Sequence, residues 1–359
     1  MTPDKLSNYG WNQFFEAHFQ PYSAGGYMAG RVVLEYNHLY RVYTEHGELL
    51  ADVAGKLRHE ATSRADLPAV GDWVVVEPRP EEGKATIQSV LPRRSKFVRQ
   101  AAGSRTEEQI VGANIDTVFL VTSLNQDFNL RRIERYLIVA WEGGARPVIV
   151  LSKADLCAET EERIAEIQTI AGDVPIHAIS AVRKDGLLEL KPYFRPGETV
   201  ALLGSSGVGK STLINHLIGR DVQKVKEIRE YDGRGQHTTT HRELIFLPQG
   251  GLVLDTPGMR ELQLWDGEES LNLAFDDIEE LAHSCYFSDC QHGDEPRCAV
   301  SEALAGGTLD AARYESYGKL QKELKHMARK QDVNAQITEK KKWKKLTRLA
   351  SQRAEAKRR

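Results

Sequence analysis

The sequence predicts an α/β domain in the middle of the chain, with an all-β barrel before it and a helical, cysteine-bearing part after it. Three observations carry this prediction. Residues 28–100 hold several short β-rich runs separated by turns. Residues 101–267 alternate buried-strand patterns with helical ones. Beyond them, three cysteines and a histidine crowd together between Cys285 and Cys298, and helical periodicity follows.

At 359 residues the chain is long enough for two or three domains. With 41% hydrophobic and 28% charged residues, its composition is that of an ordinary soluble globular protein. No stretch approaches the roughly 18 apolar residues that a membrane span needs. The opening MTPDKLSNYGWNQFF lacks the basic region and apolar run of a secretory signal. Four cysteines in such a chain argue against a disulfide scaffold, so the expected location is cytoplasmic. The chain is expected to act as a monomer, with no membrane partner. Charge is uneven: residues 319–359 carry 15 Lys and Arg against 4 Asp and Glu, whereas the remainder carries 33 against 47. Such a basic end is drawn to phosphate backbones.

Residues 1–27 bring Trp11, Phe14, Phe15, Phe19 and Tyr22 at helix-like spacing, an aromatic extension expected to pack on the body as a short helix. In residues 28–100 the runs RVVLEY, LYRVYT, WVVVE and ATIQSVL are separated by the turns EHGE, AVGD and RPEEGK. They suit a small closed barrel of the OB type, and a small sandwich would read alike. In residues 101–267, Thr117 to Ser123 and Pro147 to Ser152 are apolar enough to be buried parallel strands, with a helical pattern from Leu130 to Trp141 between them. A helix from Glu159 to Ala171 and strands at 176–179, 199–203, 244–247 and 252–254 complete an α/β sheet. Ligands of such a sheet are expected at the carboxyl ends of its strands. Residues 268–359 are expected to form the helical part and its basic tail.

Within this frame lie the motifs that carry chemistry. GSSGVGKS, from Gly204 to Ser211, follows a buried strand and opens a helix. Its glycines 204, 207 and 209 let successive N–H groups curl around phosphate oxygens, and Ser205, Ser206 and Val208 lie between them. Lys210 is expected to reach the β- and γ-phosphates, Ser211 to ligate Mg²⁺, and Thr212 to begin the helix beside them. The tetrapeptide Ser152, Lys153, Ala154 and Asp155 (SKAD) follows another apolar strand. An Asp at 155 can accept from guanine N1–H and the exocyclic amine, which adenine does not match, and the Lys153 stem can lie along the base. Ser180 and Ala181 fit the backbone contact to guanine O6. DTPG places Asp255 at the end of a strand, where a Mg²⁺-organising aspartate belongs, with the Gly258 N–H placed to sense the γ-phosphate. In GRGQHTTTHREL, a threonine among Thr238, Thr239 and Thr240 is expected to complete the Mg²⁺ shell; Thr240 is taken as the ligand and Thr239 as a nucleotide contact. Met259 stands where many GTPases carry a water-orienting glutamine. Intrinsic hydrolysis is therefore expected to be slow, and His237 is the candidate for positioning the water, with a structural histidine the competing reading. The base-reading motif precedes the phosphate loop, the reverse of the usual order, so the domain reads as a circularly permuted P-loop GTPase.

Cys285, Cys290, His292 and Cys298 match a closed tetrahedral zinc site, which is structural because no coordination position stays open. A redox pair, or His283 in place of His292, is the alternative. Cys157 reads as buried or incidental.

Together SKADL, GSSGVGKSTL, GQHTTTHREL, DTPGMRE and the cysteine–histidine spacing resemble the ribosome small subunit-dependent GTPase A family of bacteria, over about residues 28–330. The resemblance implies an OB barrel, a circularly permuted GTPase and a zinc-binding helical domain in this order. It also implies a GTPase that acts late in maturation of the small ribosomal subunit, binds its rRNA and is stimulated by it. The aromatic extension and basic tail lie outside the pattern, and Ser152 replaces the usual Asn. Serine is expected to lose the amide that braces the phosphate loop and to weaken guanine affinity modestly.

The permutation suggests that the chain leaving DTPG pulls directly on the C-terminal domain, so that GTP fixes the orientation of barrel and zinc domain. A GTP-regulated RNA-binding module with incidental hydrolysis is the alternative. A membrane-linked GTPase is disfavoured by the tail's lack of an apolar face.

Overall fold

Alternating burial shapes the first sheet. In β2, Leu39–Thr44, every second residue from Tyr40 onward is buried. With β1 Met28–Tyr36, β3 Gly47–Val53, β4 Trp73–Arg79 and β5 Lys84–Val90 it forms a closed ring in the order β1, β2, β3, β5, β4 and back to β1. The β3–β5 pairing is parallel and the others are antiparallel. Val32, Val42, Val74, Val76 and Ile87 fill the interior. The computed structural model describes residues 5–36, 39–100, 108–125, 127–218, 242–248, 250–255, 268–293 and 295–329.

The strand GELLADV was not among the runs expected, because it carries few β-branched residues. Pairing on both sides, with β2 and β5, supplies what local propensity lacks. The aromatic extension folds into α1 Lys5–Asn8 and α2 Gln13–Phe19, the latter capped by Asn12, whose side chain accepts from Phe14 N at 3.0 Å. Trp11 meets Trp73 edge-on at 4.7 Å and Phe15 is buried against the same indole, so this segment covers one end of the barrel, and a short helix, α3 Gly55–Glu60, follows β3. Between barrel and α/β domain, β6 Lys96–Gln100 and β7 Glu108–Ala113 pair as a separate hairpin. The boundary expected at residues 100 and 101 falls between its two strands.

The α/β domain contributes β8 Thr117–Ser123, β9 Arg146–Ser152, β10 Ile176–Ala178, β11 Thr199–Leu203, β12 Glu243–Phe246 and β13 Leu252–Asp255. Their spatial order is β10, β9, β8, β11, β13, β12, all parallel except β12. The strand leading into the phosphate loop is thus central, although it follows three others in the chain. On one face α4 Leu130–Glu142 and α5 Thr160–Ala171 share a continuous apolar core with the C-terminal helices, through Ile133, Leu137, Phe275, Ile278, Val300 and Tyr317. On the other face α6 Lys210–Ile218 packs Leu213 and Leu217 on Val121 and Phe119. The C-terminal part comprises helices Glu268–Ala274, Asp276–His283 and Ala299–Ala305, and a helix over 311–329.

Barrel and α/β sheet join at the pair Leu34 and Glu243, between β1 and β12. Arg31, 1% exposed, knits the junction: it donates to the carbonyls of Gly71 at 3.3 Å, Asn114 at 3.0 Å and Tyr9, and to Thr199 Oγ1 at 2.9 Å. Burial lowers its pKa to about 10, with Asp116 and Asp72 pulling the other way.

Candidate functional site

Three parallel strands end at one edge and hold the candidate nucleotide residues. β11 delivers Gly204, β9 delivers Ser152 to Asp155, and β10 leads to Ser180 and Ala181. The loop turns on Gly207 (φ 80°) and Gly209 (φ 99°), conformations that other residues adopt only at a cost. Val208, 1% exposed, anchors its underside, while Ser206, Gly207, Ser211 and Thr212 face outward at its mouth. Lys210 Nζ donates to the carbonyls of Gly204 and Ser205, each at 2.6 Å, and so lies folded over the glycine-rich loop.

The base-reading residues touch this loop directly. Ser152 Oγ donates to Val208 O at 2.5 Å, with Thr122 O 3.3 Å away, and Lys153 Nζ donates to Gly207 O at 2.9 Å. Lys153 takes a left-handed backbone (φ 59°), which turns the chain into a short 3₁₀ helix over Ala154–Leu156. Ala154 N bonds Ile179 O at 3.1 Å, so Asp155 is held beside the Ser180–Ala181 segment. The structure thus departs from one expectation. Serine at 152 does not forfeit the brace on the phosphate loop, because its hydroxyl reaches a loop carbonyl that an amide would also have served.

Asp255 ends β13 at the same edge, one residue beyond Leu254, which pairs with Ala201 of β11. His237, Thr238, Thr239, Thr240, Gly258 and Met259 lie outside the described residues.

Two contacts here were not anticipated from the motifs. Asp127, in the turn after β8, accepts from Ser205 Oγ at 2.7 Å, and that hydroxyl, followed by Arg132, holds its carboxyl below the usual range. Farther along α4, Glu134 is 1% exposed and pairs with Arg313 at 2.8 Å, which also binds Asp277 at 2.6 Å. No local pattern marks Asp127. The 3.6-residue periodicity of α4 would have placed Glu134 on its buried face, beside Ile133 and Leu137, where a carboxylate demands a partner.

The second cluster gathers Cys285, Cys290, His292 and Cys298, whose ligand atoms all lie within 4.8 Å of one another. His292 Nδ1 is 3.6 Å from Cys285 Sγ and 3.5 Å from Cys298 Sγ, and those two sulfurs are 3.9 Å apart. Around zinc, bonds of about 2.3 Å to sulfur and about 2.0 Å to nitrogen separate tetrahedral neighbours by about 3.8 Å for two sulfurs and about 3.5 Å for sulfur and nitrogen. The donor set fits that ion. His292 joins the cluster from a left-handed backbone (φ 59°). Cys298 caps the helix Ala299–Ala305, accepting from Ser301 N. Burial opposes its ionisation, but the bonds from Ser301 and His292 prevail and set its pKa at about 6. His283 lies at the exposed end of its helix and is not among the four clustered residues.

A central phosphate-loop strand, a base-reading motif hydrogen-bonded to that loop from an earlier strand, and this sheet order define a circularly permuted GTPase. Residues 90–265 match the family model described as RsgA GTPase, and residues 199–341 match one described as 50S ribosome-binding GTPase. The small ribosomal subunit biogenesis GTPase RsgA of Opitutus terrae is 49% identical over 350 residues, 95% of each chain. RsgA 1 of Oceanobacillus iheyensis, with the same description, is 48% identical over 89% of this chain and 92% of its own. Among solved structures, YjeQ from Thermotoga maritima is similar with a TM-score of 0.62 at 32% identity, covering 83% of this chain and 98% of that one. YloQ, described as a circularly permuted GTPase, gives 0.61 at 26% identity, covering 85% of this chain and 97% of that one. The chain belongs to the RsgA GTPase family.

Proposed function

We propose that this GTPase assists late maturation of the small ribosomal subunit, binding rRNA and hydrolysing GTP to GDP and phosphate when the subunit stimulates it. The observation that carries the nucleotide assignment is the pair of hydrogen bonds from Ser152 and Lys153 to the phosphate loop. Through them both motifs address one bound molecule. Asp155 selects guanine and Ser180–Ala181 offers backbone to its O6. Gly204 to Thr212 cradle the phosphates, and Lys210 exchanges two carbonyl partners for β- and γ-phosphate oxygens. Ser211, Asp255 and Thr240 would hold Mg²⁺, which neutralises phosphate charge, and Thr239 would contact the nucleotide. The Gly258 N–H senses the γ-phosphate, and His237 orients the attacking water in place of a glutamine. Unchanged stimulated turnover in His237→Ala would remove that last role.

The four-ligand cluster would hold one structural zinc ion. The five-stranded barrel is an oligonucleotide-binding architecture, and the basic residues of 319–359 suit an RNA backbone. Among the described residues no helix is long and apolar enough to cross a membrane. In this reading the protein acts on the subunit as a monomer in the cytoplasm. The domain divisions at residues 27, 100 and 267 are retained within this reading. The test is GTP hydrolysis with and without purified small subunits, with ATP as control. Stimulation specific to GTP is expected, and equal rates with and without subunits would refute the proposal.

A further inference from the structure

A chain of polar contacts leads from the phosphate loop to the C-terminal part along α4. At its start, Asp127 Oδ2 accepts from Ser205 Oγ at 2.7 Å, and Oδ1 lies 3.0 Å from Arg132 Nη2. Arg132 also donates to the Asp127 carbonyl, and its backbone N–H is capped by Asn129 at 3.1 Å. The carboxylate is therefore tied to the loop at one end and to the first turn of α4 at the other. The same helix then grips the C-terminal part. Arg131 bonds Asp310 at 2.5 Å, Glu134 takes Arg313 at 2.8 Å and Ser316 at 3.1 Å, and Arg135 holds Glu323 through two bonds of 2.6 and 2.7 Å. Asp310 precedes the helix over 311–329, and the other three partners lie on it.

We infer that Asp127 is a positioning residue that couples occupancy of the phosphate loop to the seating of the helix 311–329 against α4. The inference rests on that loop holding a nucleotide and adds the route by which the C-terminal part responds. Three features support it. First, a carboxylate beside a phosphate site opposes binding, yet this one is kept ionised, and the cation in direct contact with it is Arg132 in the first turn of α4. Second, phosphate claims the Lys210 ammonium that now rests on the Gly204 and Ser205 carbonyls, which alters the field at the residue Asp127 holds. Third, α4 is packed through Ile133, Leu137 and Ile138, each no more than 1% exposed, so a shift of its first turn moves the helix as a body.

Coupling between sites is reciprocal. Loosening the far end must therefore change nucleotide affinity, and Asp127 must be needed for that effect. The experiment uses the full chain and fluorescent N-methylanthraniloyl-GDP. Arg135→Ala breaks a half-exposed pair with Glu323 while leaving the Glu134–Arg313 contact in place. It is expected to weaken GDP binding about fivefold, and in an Asp127→Asn background the same change is expected to have less than about a twofold effect. A second readout is hydrogen exchange over 311–329. GDP is expected to slow it about fivefold in the native chain and to leave it unaltered in Asp127→Asn at saturating GDP. Equal effects of Arg135→Ala in both backgrounds, or a GDP-dependent exchange change that survives Asp127→Asn, would overturn the inference while leaving the proposed function standing. A native chain that binds no GDP would overturn both.

Discussion

Ser152→Ala isolates the contact on which the joining of the two nucleotide motifs depends. Ser152 is 6% exposed and Val208 1% exposed, so removing the hydroxyl leaves the Val208 carbonyl short of its 2.5 Å donor in a place water reaches poorly. An unsatisfied buried acceptor costs about 1–3 kcal/mol. A loss of about 1.4 kcal/mol, toward the low end of that range, expressed as a smaller fraction of molecules with a phosphate-ready loop, weakens GDP binding about tenfold. Ser152→Asn provides the control: its amide can donate to the same carbonyl. Gly209 leaves room for it, since even a Cβ there would stay 3.9 Å from Ser152 Oγ. Asn is expected to bind GDP within about threefold of the native chain. The assay is equilibrium titration of both variants with labelled GDP, alongside thermal melts to show that they are folded. Ser152→Ala binding GDP within about twofold of the native protein would refute the reasoning.

Other consequences follow from the helical part. The purified chain is expected to carry about one zinc ion by elemental analysis, lost in His292→Ala and retained in His283→Ala; retention in His292→Ala would show that a different ligand set is at work. Because Cys298 belongs to the core shared with α4, chelation is expected to lower the melting temperature of the whole chain rather than of a detached finger. Glu134→Ala removes one of two carboxylates from a guanidinium that is 9% exposed. Asp277 remains, so the loss of stability in urea is expected at the low end of the range for broken buried pairs, about 3 kcal/mol. A loss under about 1 kcal/mol would mean that the pair is solvent-screened in solution.

What could be read from the sequence was local. The phosphate loop, SKAD and the cysteine–histidine spacing each compress their chemistry into a few adjacent residues, and the strands around them are apolar enough to declare themselves. What could not be read depends on what lies across the fold. Gly47–Val53 is a strand because two neighbours pair with it, not because its residues favour extension. The brace from Ser152 depends on β9 ending level with the loop from β11, and residue type alone pointed the other way. Asp127 gains its role from a hydroxyl 78 residues away in the chain. Arg31 stands in the run RVVLEY with nothing local to mark it, yet it is 1% exposed and bonds Tyr9, Gly71, Asn114 and Thr199 across the junction.

The two attachments of the α/β domain differ in strength, and the difference is open to measurement. The C-terminal helices share its apolar core and add a buried ion pair to α4. The barrel adjoins it through one backbone pair, Leu34 with Glu243, through the Arg31 bonds, through ion-pair contacts of Glu243 with Arg41 at 3.9 Å and of Glu35 with Arg242 at 3.8 Å, and through Val33 and Val70, which reach the shared core. What stiffens that weaker joint comes from the aromatic extension. Tyr9 lies 5.5 Å from Tyr43 of the barrel and 5.0 Å from Phe246 of the sheet, and its carbonyl receives Arg31. Tyr9→Ala removes the ring from this trio, a loss of about 0.5–1.5 kcal/mol per aromatic pair beyond area burial. Hydrogen exchange is expected to quicken several-fold at β12 and at the facing edge of β1, while the helix over 311–329 stays as protected as before. Faster exchange at both places would show that the extension stabilises the whole chain rather than one joint. Unchanged exchange at β12 would show that the remaining contacts of the joint suffice without the Tyr9 ring.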